Sequence, residues 1–555
     1  MKKTYSLIIG LFVIIGIAVG AYLWITGIFA SNYAYRSPLK DNSPTPGAAL
    51  GDASTGRVVM VLIDALRYDT STIKEVMPTL NQLRAQGASA VMRSRPPSFS
   101  EPGYSSLMTG AWPELSDGPT FNLDYEQIPT WTQDNLFSAA HRAGLKTAVS
   151  GYYWFEKLIP QQDVDLHFYT SGEDRLADEQ VMAEALPWLK NDAASLVLIH
   201  LDQVDYAGHH EGGPKAAAWN EAASRVDAML AQIALNLDFS KDTLVVFSDH
   251  GQIDAGGHGG QEPIVLTEPF VIVGPGVVPG EYPAIKMVDV APTISAVLGL
   301  NLPASSQGEV LTNMLNLPES IKSALPGAVE KQQTALATAY AVSLGMKIDA
   351  AKMPTGSNVA QYQNYLDSLR NGRIFVQRVV RAAILAVLLA LFVSLLIRNI
   401  KNGSLWWIAS GLVFSGIFNY RYGVWDQKTY SVSSIISESD LLTYVAITAG
   451  AAFLIAWLFS ALGKRTFWQK PLDATLSTVG IILTMIFVSA LPVFWSFLMN
   501  GVLVTWTLPD YLSSFLGLLG LLQILMIAAA GLIAIVITAV ISRISQRRPA
   551  TLRRR

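Results

Sequence analysis

The sequence predicts an α/β protein: a mostly parallel sheet sandwiched by helices, set between an N-terminal transmembrane anchor and a C-terminal bundle of about five transmembrane helices. Three observations predict it. Short apolar runs recur between helical stretches from residue 57 to about 301, a pattern of parallel strands covered on both faces. Apolar stretches of the ~20 residues that span a bilayer stand at the start and again after residue 373. The 555 residues are 51% hydrophobic and only 15% charged, where a soluble domain carries roughly a quarter.

Lys2 and Lys3 precede an apolar run over 5–30. A secretory h-region is only ~7–15 residues long, so 1–30 reads as an uncleaved anchor. Cleavage at Phe29-Ala30-Ser31 is the alternative. Residues 31–56 are rich in Pro, Ser, Gly, Asp and Asn and read as a linker. Residues 57–310 hold the strand runs 58–63, 196–201, 244–247 and 270–273 and read as one α/β domain. A mixed, mostly helical connecting segment covers 311–372, with no assigned role. The C-terminal bundle, 373–555, places spans at about 375–397, 404–424, 441–462, 474–498 and 513–541.

Positive charge orients these spans. Lys2 and Lys3, Arg398 and Lys401, Lys464, Arg465 and Lys470, and the tail Arg543, Arg547, Arg548, Arg553, Arg554 and Arg555 all fall on one side of a six-span chain. That side is expected to be cytoplasmic. The expectation is a multi-pass plasma-membrane protein with both termini inside and residues 31–372 outside. No Asp, Glu or Lys stands mid-span, which argues against a transporter. A net charge of −3 gives no reason to expect nucleic acid, and the absence of cysteine excludes disulfides, thiolate metal sites and a catalytic thiol.

Four motifs carry chemistry. Asp64 ends the first strand run, at the edge where open α/β sheets bind ligands; alone it serves equally well as a helix cap. Ser98 and Ser100, in Ser98-Phe99-Ser100-Glu101-Pro102-Gly103, stand at a helix start, as caps or as nucleophiles. Asp205 and His209 lie four apart after the strand 196–201 and can share a metal if the segment is helical. Asp249 and His250 follow the strand 244–247, and His258 sits among Gly256, Gly257, Gly259 and Gly260. Glycines let backbone crowd a ligand or ion.

Taken in order along the chain, these motifs resemble the alkaline phosphatase superfamily over about 57–310. The likeness is to the nucleotide pyrophosphatase/phosphodiesterase branch and to the GPI ethanolamine phosphate transferases. Met77-Pro78-Thr79-Leu80-Asn81-Gln82-Leu83 and Asp289-Val290-Ala291-Pro292-Thr293-Ile294 are further points of similarity. The resemblance implies an alkaline-phosphatase-like fold and two metal sites. Asp64, Asp249, His250 and the Ser100 oxygen would hold one ion; Asp205, His209 and His258 would hold the other. It implies Ser100 as nucleophile, with Ser98 second, and Asn122 as donor to a phosphate oxygen. Asp and His ligands without Cys suit zinc first and manganese second. The sequence departs from the GPI-type enzymes at Gly151-Tyr152-Tyr153-Trp154, where they carry an acidic stretch, and at Glu101 beside the nucleophile.

The function expected is metal-dependent transfer or hydrolysis of a phospho-headgroup, phosphoethanolamine- or phosphoglycerol-like, on a lipid or envelope substrate. The partners expected are a phosphate ester, lipid-linked by this reading, and membrane lipids. An ecto-phosphodiesterase of soluble esters is the alternative, and a catalytically inactive binding module is a third reading. The sequence does not specify donor, acceptor or oligomeric state.

Overall fold

The computed structural model describes residues 2–435, 437–463, 467–468 and 470–547. Lys464, Arg465, Arg548, Arg553, Arg554 and Arg555, which weigh in the charge-based orientation, lie outside the described residues.

Eight strands form one sheet: β1 (Arg57–Ile63), β2 (Ala88–Arg93), β3 (Thr147–Tyr152), β4 (Leu166–Thr170), β5 (Leu196–Leu201), β6 (Asp242–Phe247), β7 (Thr267–Val273) and β8 (Gly280–Lys286). Their order is β4-β3-β5-β1-β6-β7-β2-β8. Every pairing is parallel except those of β7, which runs antiparallel to β6 and β2. β1 is central, and all seven of its residues are buried. Successive side chains of a strand point to opposite faces. Val58, Met60 and Leu62 therefore join one core, with Leu107, Phe137 and Ile294. Val59, Val61 and Ile63 join the other, with Leu80, Val181 and Trp219. This two-sided burial is why the strands read as continuous apolar runs.

Among the described residues five helices are long and apolar enough to cross a membrane: Lys3–Tyr33, Val359–Arg398, Ser439–Gly463, Pro471–Asn500 and Tyr511–Ile544. The remaining expected span, 404–424, is an α-helix, Ser404–Asn419, carried on by π-helical Tyr420–Trp425. The connecting segment takes on a clear shape. Glu319–Ser343 is one helix, and the next begins at Val359 and runs unbroken into the span. Leu336 and Tyr340 of the first pack on Tyr362, Leu366 and Leu369 of the second.

Residues 34–56 are no free linker. Tyr35 donates to the Glu114 carbonyl at 3.0 Å, Arg36 donates to Asp117 at 2.9 Å, and the Leu50 amide donates to the Gly299 carbonyl at 3.0 Å. Composition signals a chain without regular structure there; these contacts bind it to the α/β domain. The bundle touches the same domain. Thr120 donates to the Asn32 carbonyl at 2.9 Å, and the loop before Ser439 reaches the glycines around His258.

Candidate active site

The carboxyl ends of β5, β1 and β6 lie side by side, and parallel β2 opens onto the same edge. Asp64 follows β1 directly. The turn after it is unusual: Ala65 sits at φ +58°, a region that non-glycine residues seldom occupy. In that turn the Ala65 amide donates to Asp249 Oδ1 at 3.2 Å. Asp249 and His250 follow β6. Asp205 and His209 lie on the helix Gln203–His210 after β5, with His209 Nε2 3.4 Å from Asp205 Oδ2.

Ser100 opens the helix Ser100–Thr109, whose cap position is Phe99, so its hydroxyl makes no cap. Its Oγ instead lies 3.2 Å from His250 Nε2 and 3.4 Å from Asn122 Nδ2. The helix can approach this closely because residue 103 is glycine. A Cβ there would stand 2.8 Å from the Asp249 Cβ and 3.1 Å from its carbonyl oxygen. Ser98 faces elsewhere: its hydroxyl donates to the Gly260 carbonyl at 2.8 Å and accepts from the Gly259 amide at 3.1 Å.

Among the described residues three acid/imidazole clusters result: Asp64–Asp249–His250 and Asp205–His250–His258, which share His250, and Asp64–His200–Asp202. The hydrogen bonds fix the imidazole tautomers. Nδ1 of His250 lies 3.1 Å from the Gly251 carbonyl and Nδ1 of His258 lies 3.0 Å from that of Ser98, so each Nδ1 donates. Each Nε2 then presents a lone pair inward. That of His250 meets Asp64 Oδ1 at 3.5 Å and Asp249 Oδ2 at 3.4 Å. That of His258 meets His209 Nε2 at 2.9 Å and Asp205 Oδ1 at 3.8 Å. Asp64 Oδ1 and Asp249 Oδ2 are buried without a hydrogen-bond partner among the described residues. Lone pairs converging on buried, orphaned carboxylate oxygens are the donor set of a cation, and imidazoles anchored through their other nitrogen are common among metal ligands. The residues present fit divalent metals.

Electrostatics agree. Burial, then the charge of Asp64, pushes the Asp249 carboxyl well above its ordinary range. Burial also raises Asp205, but the imidazoles of His209, His258 and His250 and the Gln252 hydrogen bond outweigh it and hold it low. Burial and then His250 push His258 well below the usual imidazole value.

Four supporting residues back this donor set, and of them only Glu101 is singled out in the sequence. His200, within β5, accepts at Nδ1 from the Tyr152 amide at 3.3 Å. Its Nε2 therefore carries the proton and donates to Asp64 Oδ2 at 3.0 Å. Tyr104 donates to the same oxygen. The two hold Asp64 with Oδ1 turned inward. Gln252 donates to Asp205 and steadies it in the same way. Glu101 is fully buried. Its Oε1 accepts from the Leu123 amide at 3.0 Å, while its own amide donates to Asn122 Oδ1 at 3.2 Å. Burial pushes its carboxyl up to about 9, so it is neutral at pH 7.

The strand-end edge of a mostly parallel sheet thus carries these acid/imidazole groups, in a chain whose apolar helices reach membrane-spanning length. The profile of the type I phosphodiesterase / nucleotide pyrophosphatase family matches residues 58–343. The chain belongs to that family. Human GPI ethanolamine phosphate transferase 2, catalytic subunit, is 29% identical over 274 residues, 46% of this chain and 27% of its own length. The human transferase 3 catalytic subunit is 25% identical over 49% of this chain and 27% of its own. Transferase 2 of Saccharomyces cerevisiae is 24% identical over 47% of this chain and 36% of its own. The matches thus span roughly a quarter to a third of these relatives. Among solved structures, human ectonucleotide pyrophosphatase / phosphodiesterase 5 aligns with 47% of this chain and 100% of its own, at 14% identity and a TM-score of 0.39.

Proposed function

We propose that this chain is a membrane-anchored, two-metal phosphotransferase or phosphodiesterase. In this reading Ser100 is the nucleophile, and the substrate is a phospho-headgroup on a lipid or envelope molecule outside the cytoplasm. One observation carries the reading: the Ser100 hydroxyl lies 3.2 Å from His250 and 3.4 Å from Asn122, at the junction of two acid/imidazole clusters.

Asp64, Asp249, His250 and Ser100 would hold one divalent ion and Asp205, His209 and His258 the other, with zinc the first candidate. Two such ions supply charge stabilisation for the attacking and leaving oxygens and lower the pKa of a coordinated hydroxyl. The chain's own residues do the rest. Ser100 Oγ attacks phosphorus, the Oγ–P bond forms and the bond to the leaving alkoxide breaks. Asn122, held through Oδ1 by the Glu101 amide, keeps Nδ2 aimed at a non-bridging oxygen as its charge grows. Ser100 also stands at the N-terminus of a ten-residue helix, where backbone amides favour anions. Water or an alcohol then attacks the seryl phosphodiester, and Ser100 leaves. His200, Tyr104 and Gln252 keep the carboxylates in place.

The test uses the purified full chain and Ser100→Ala, with bound metal counted by mass spectrometry and turnover followed on a chromogenic phosphodiester. The expected result is metal-dependent turnover by wild type and a loss of at least ~10³-fold in the variant, the scale seen for a lost nucleophile. Full activity in a metal-loaded Ser100→Ala would overturn the assignment.

A further inference from the structure

The membrane-spanning helix Val359–Arg398 turns three of its arginines, Arg370, Arg378 and Arg381, toward the 499–510 segment. Together they wall a cavity of about 260 Å³. It lies at the end of the bundle next to the α/β domain. Arg381 donates to the Leu498 and Met499 carbonyls at 3.4 and 3.3 Å, where the helix Pro471–Asn500 ends. No charged residue separates Arg381 from Arg398. That uncharged stretch is about 26 Å long at 1.5 Å per residue, against about 30 Å for a bilayer's hydrocarbon core. The cavity therefore sits at headgroup depth, and Trp506 on its wall suits that level. Arg370 is neutralised by Glu114 at 3.2 Å and Asp367 at 2.9 Å. The other two are not. Arg381 spends its bonds on neutral acceptors, the two carbonyls and Gln377 at 3.0 Å. The Arg378 side chain makes no hydrogen bond and no ion pair among the described residues. The carboxylate on the wall, Asp510, accepts from the Ser513 amide at 2.9 Å and so caps the last helix. Two unpaired guanidiniums against one carboxylate leave the cavity positive. Beneath it the same helix exposes Val380, Ile384 and Val387.

We propose that this cavity binds the phosphate of one anionic phospholipid from the leaflet next to the α/β domain. The Arg378 and Arg381 guanidiniums donate to the phosphate oxygens, a pairing that suits their planar fork. The acyl chains lie along Val380, Ile384 and Val387. The volume is below the ~300–1,000 Å³ of pockets that enclose a drug-sized ligand, so it takes a headgroup and leaves the chains outside. A soluble anion would match the charge but would leave the apolar face below it bare. None of the candidate metal ligands lines this cavity, and the proposal does not depend on the enzymatic reading. The bound lipid joins the helix Val359–Arg398 to the 499–510 segment, which the Val504 amide ties to Ser31 of the first helix at 3.0 Å.

The test reads binding, not turnover. Dioleoyl phosphatidylglycerol is titrated onto the delipidated full chain in detergent, and bound lipid is counted by native mass spectrometry. Arg378→Gln removes no side-chain bond within the protein, so it should fold as wild type does. It is expected to weaken uptake of one lipid by ~10-fold, the scale of one charge-assisted hydrogen bond. Arg378→Lys, which keeps the charge without the fork, should fall between the two. Arg398→Gln, at the opposite end of the same helix, should bind as wild type does. Dioleoylglycerol, which has the chains but no phosphate, should not compete, and neither should millimolar inorganic phosphate. Unchanged uptake in Arg378→Gln, or an equal loss in Arg398→Gln, would overturn the proposal. Displacement by inorganic phosphate would overturn the lipid as occupant and assign the cavity to a soluble anion, and displacement by dioleoylglycerol would overturn the role of the phosphate.

Discussion

Glu101 shows how one side chain can set up the reacting group beside it. Its amide orients Asn122, its carboxyl holds the Leu123 amide, and its other oxygen is buried without a partner. Glutamine keeps the acceptor and the neutral charge. Glu101→Gln is therefore expected to stay within a fewfold of wild-type turnover, whereas Glu101→Ala frees the 122–123 turn and should lose ~10-fold or more, the scale of a misplaced catalytic donor. Equal losses in both, measured as kcat/KM on a chromogenic diester, would contradict the positioning role. Asp64, Asp205, Asp249 and His250 were legible one by one because they stand just after strands, where a ligand edge is expected; Ser100, Asn122, His209 and His258 were singled out with them only through the motif order. His200 and Tyr104 were not legible. His200 sits inside an apolar strand run and Tyr104 inside a buried helix, and both read there as core. Only the parallel register of β1 and β5, which sets Leu62 beside His200, brings that imidazole to Asp64.

At the scale of elements, the sheet was readable and the connections were not. Continuous apolar runs announce β1, β5 and β6, but nothing in 31–56 announces that the chain is strapped to the domain through Asp117. Nothing in 426–437 announces its contact with the site either. There Ser433 accepts from the Gly260 amide at 3.0 Å and, with Ser431, donates to Glu262 at 2.8 and 3.0 Å. Such contacts depend on two distant segments meeting. The helix Val290–Val297 offers a measurable case. Asp289, before it, accepts from the Lys286 and Glu309 amides, both at 2.8 Å. Burial pushes its carboxyl up from 3.8 to about 6. The folded form thus holds this proton more tightly than the unfolded chain. The group's contribution is full below about pH 4 and is lost as pH rises through 6, by roughly 3 kcal/mol. Relative to Asp289→Asn, wild type is expected to lose stability between pH 4 and 7 in denaturation series. A difference that instead grows with pH would contradict the assignment.

Across the whole molecule, the catalytic domain rests on one end of the bundle. Asn32, the 426–437 loop and the 501–510 segment all lie toward it, the last through the Val504 amide donating to Ser31 at 3.0 Å. At the far end Lys3 pairs with Asp473 at 2.5 Å. In the orientation we propose, the positive loops are cytoplasmic and the domain faces outward. The chain has no cysteine, so single thiols report topology cleanly. An impermeant maleimide is expected to label Asp41→Cys in intact cells and Lys401→Cys only after lysis; the reverse pattern would invert the orientation.

A double displacement through Ser100, as proposed, is recorded in the stereochemical course at phosphorus. Each in-line attack inverts the centre, so a covalent seryl intermediate gives net retention. With a phosphodiester made chiral by sulfur and an alcohol or isotopically labelled water as acceptor, the account predicts retention. Inversion would mean a single direct attack and would remove Ser100 from the role of nucleophile.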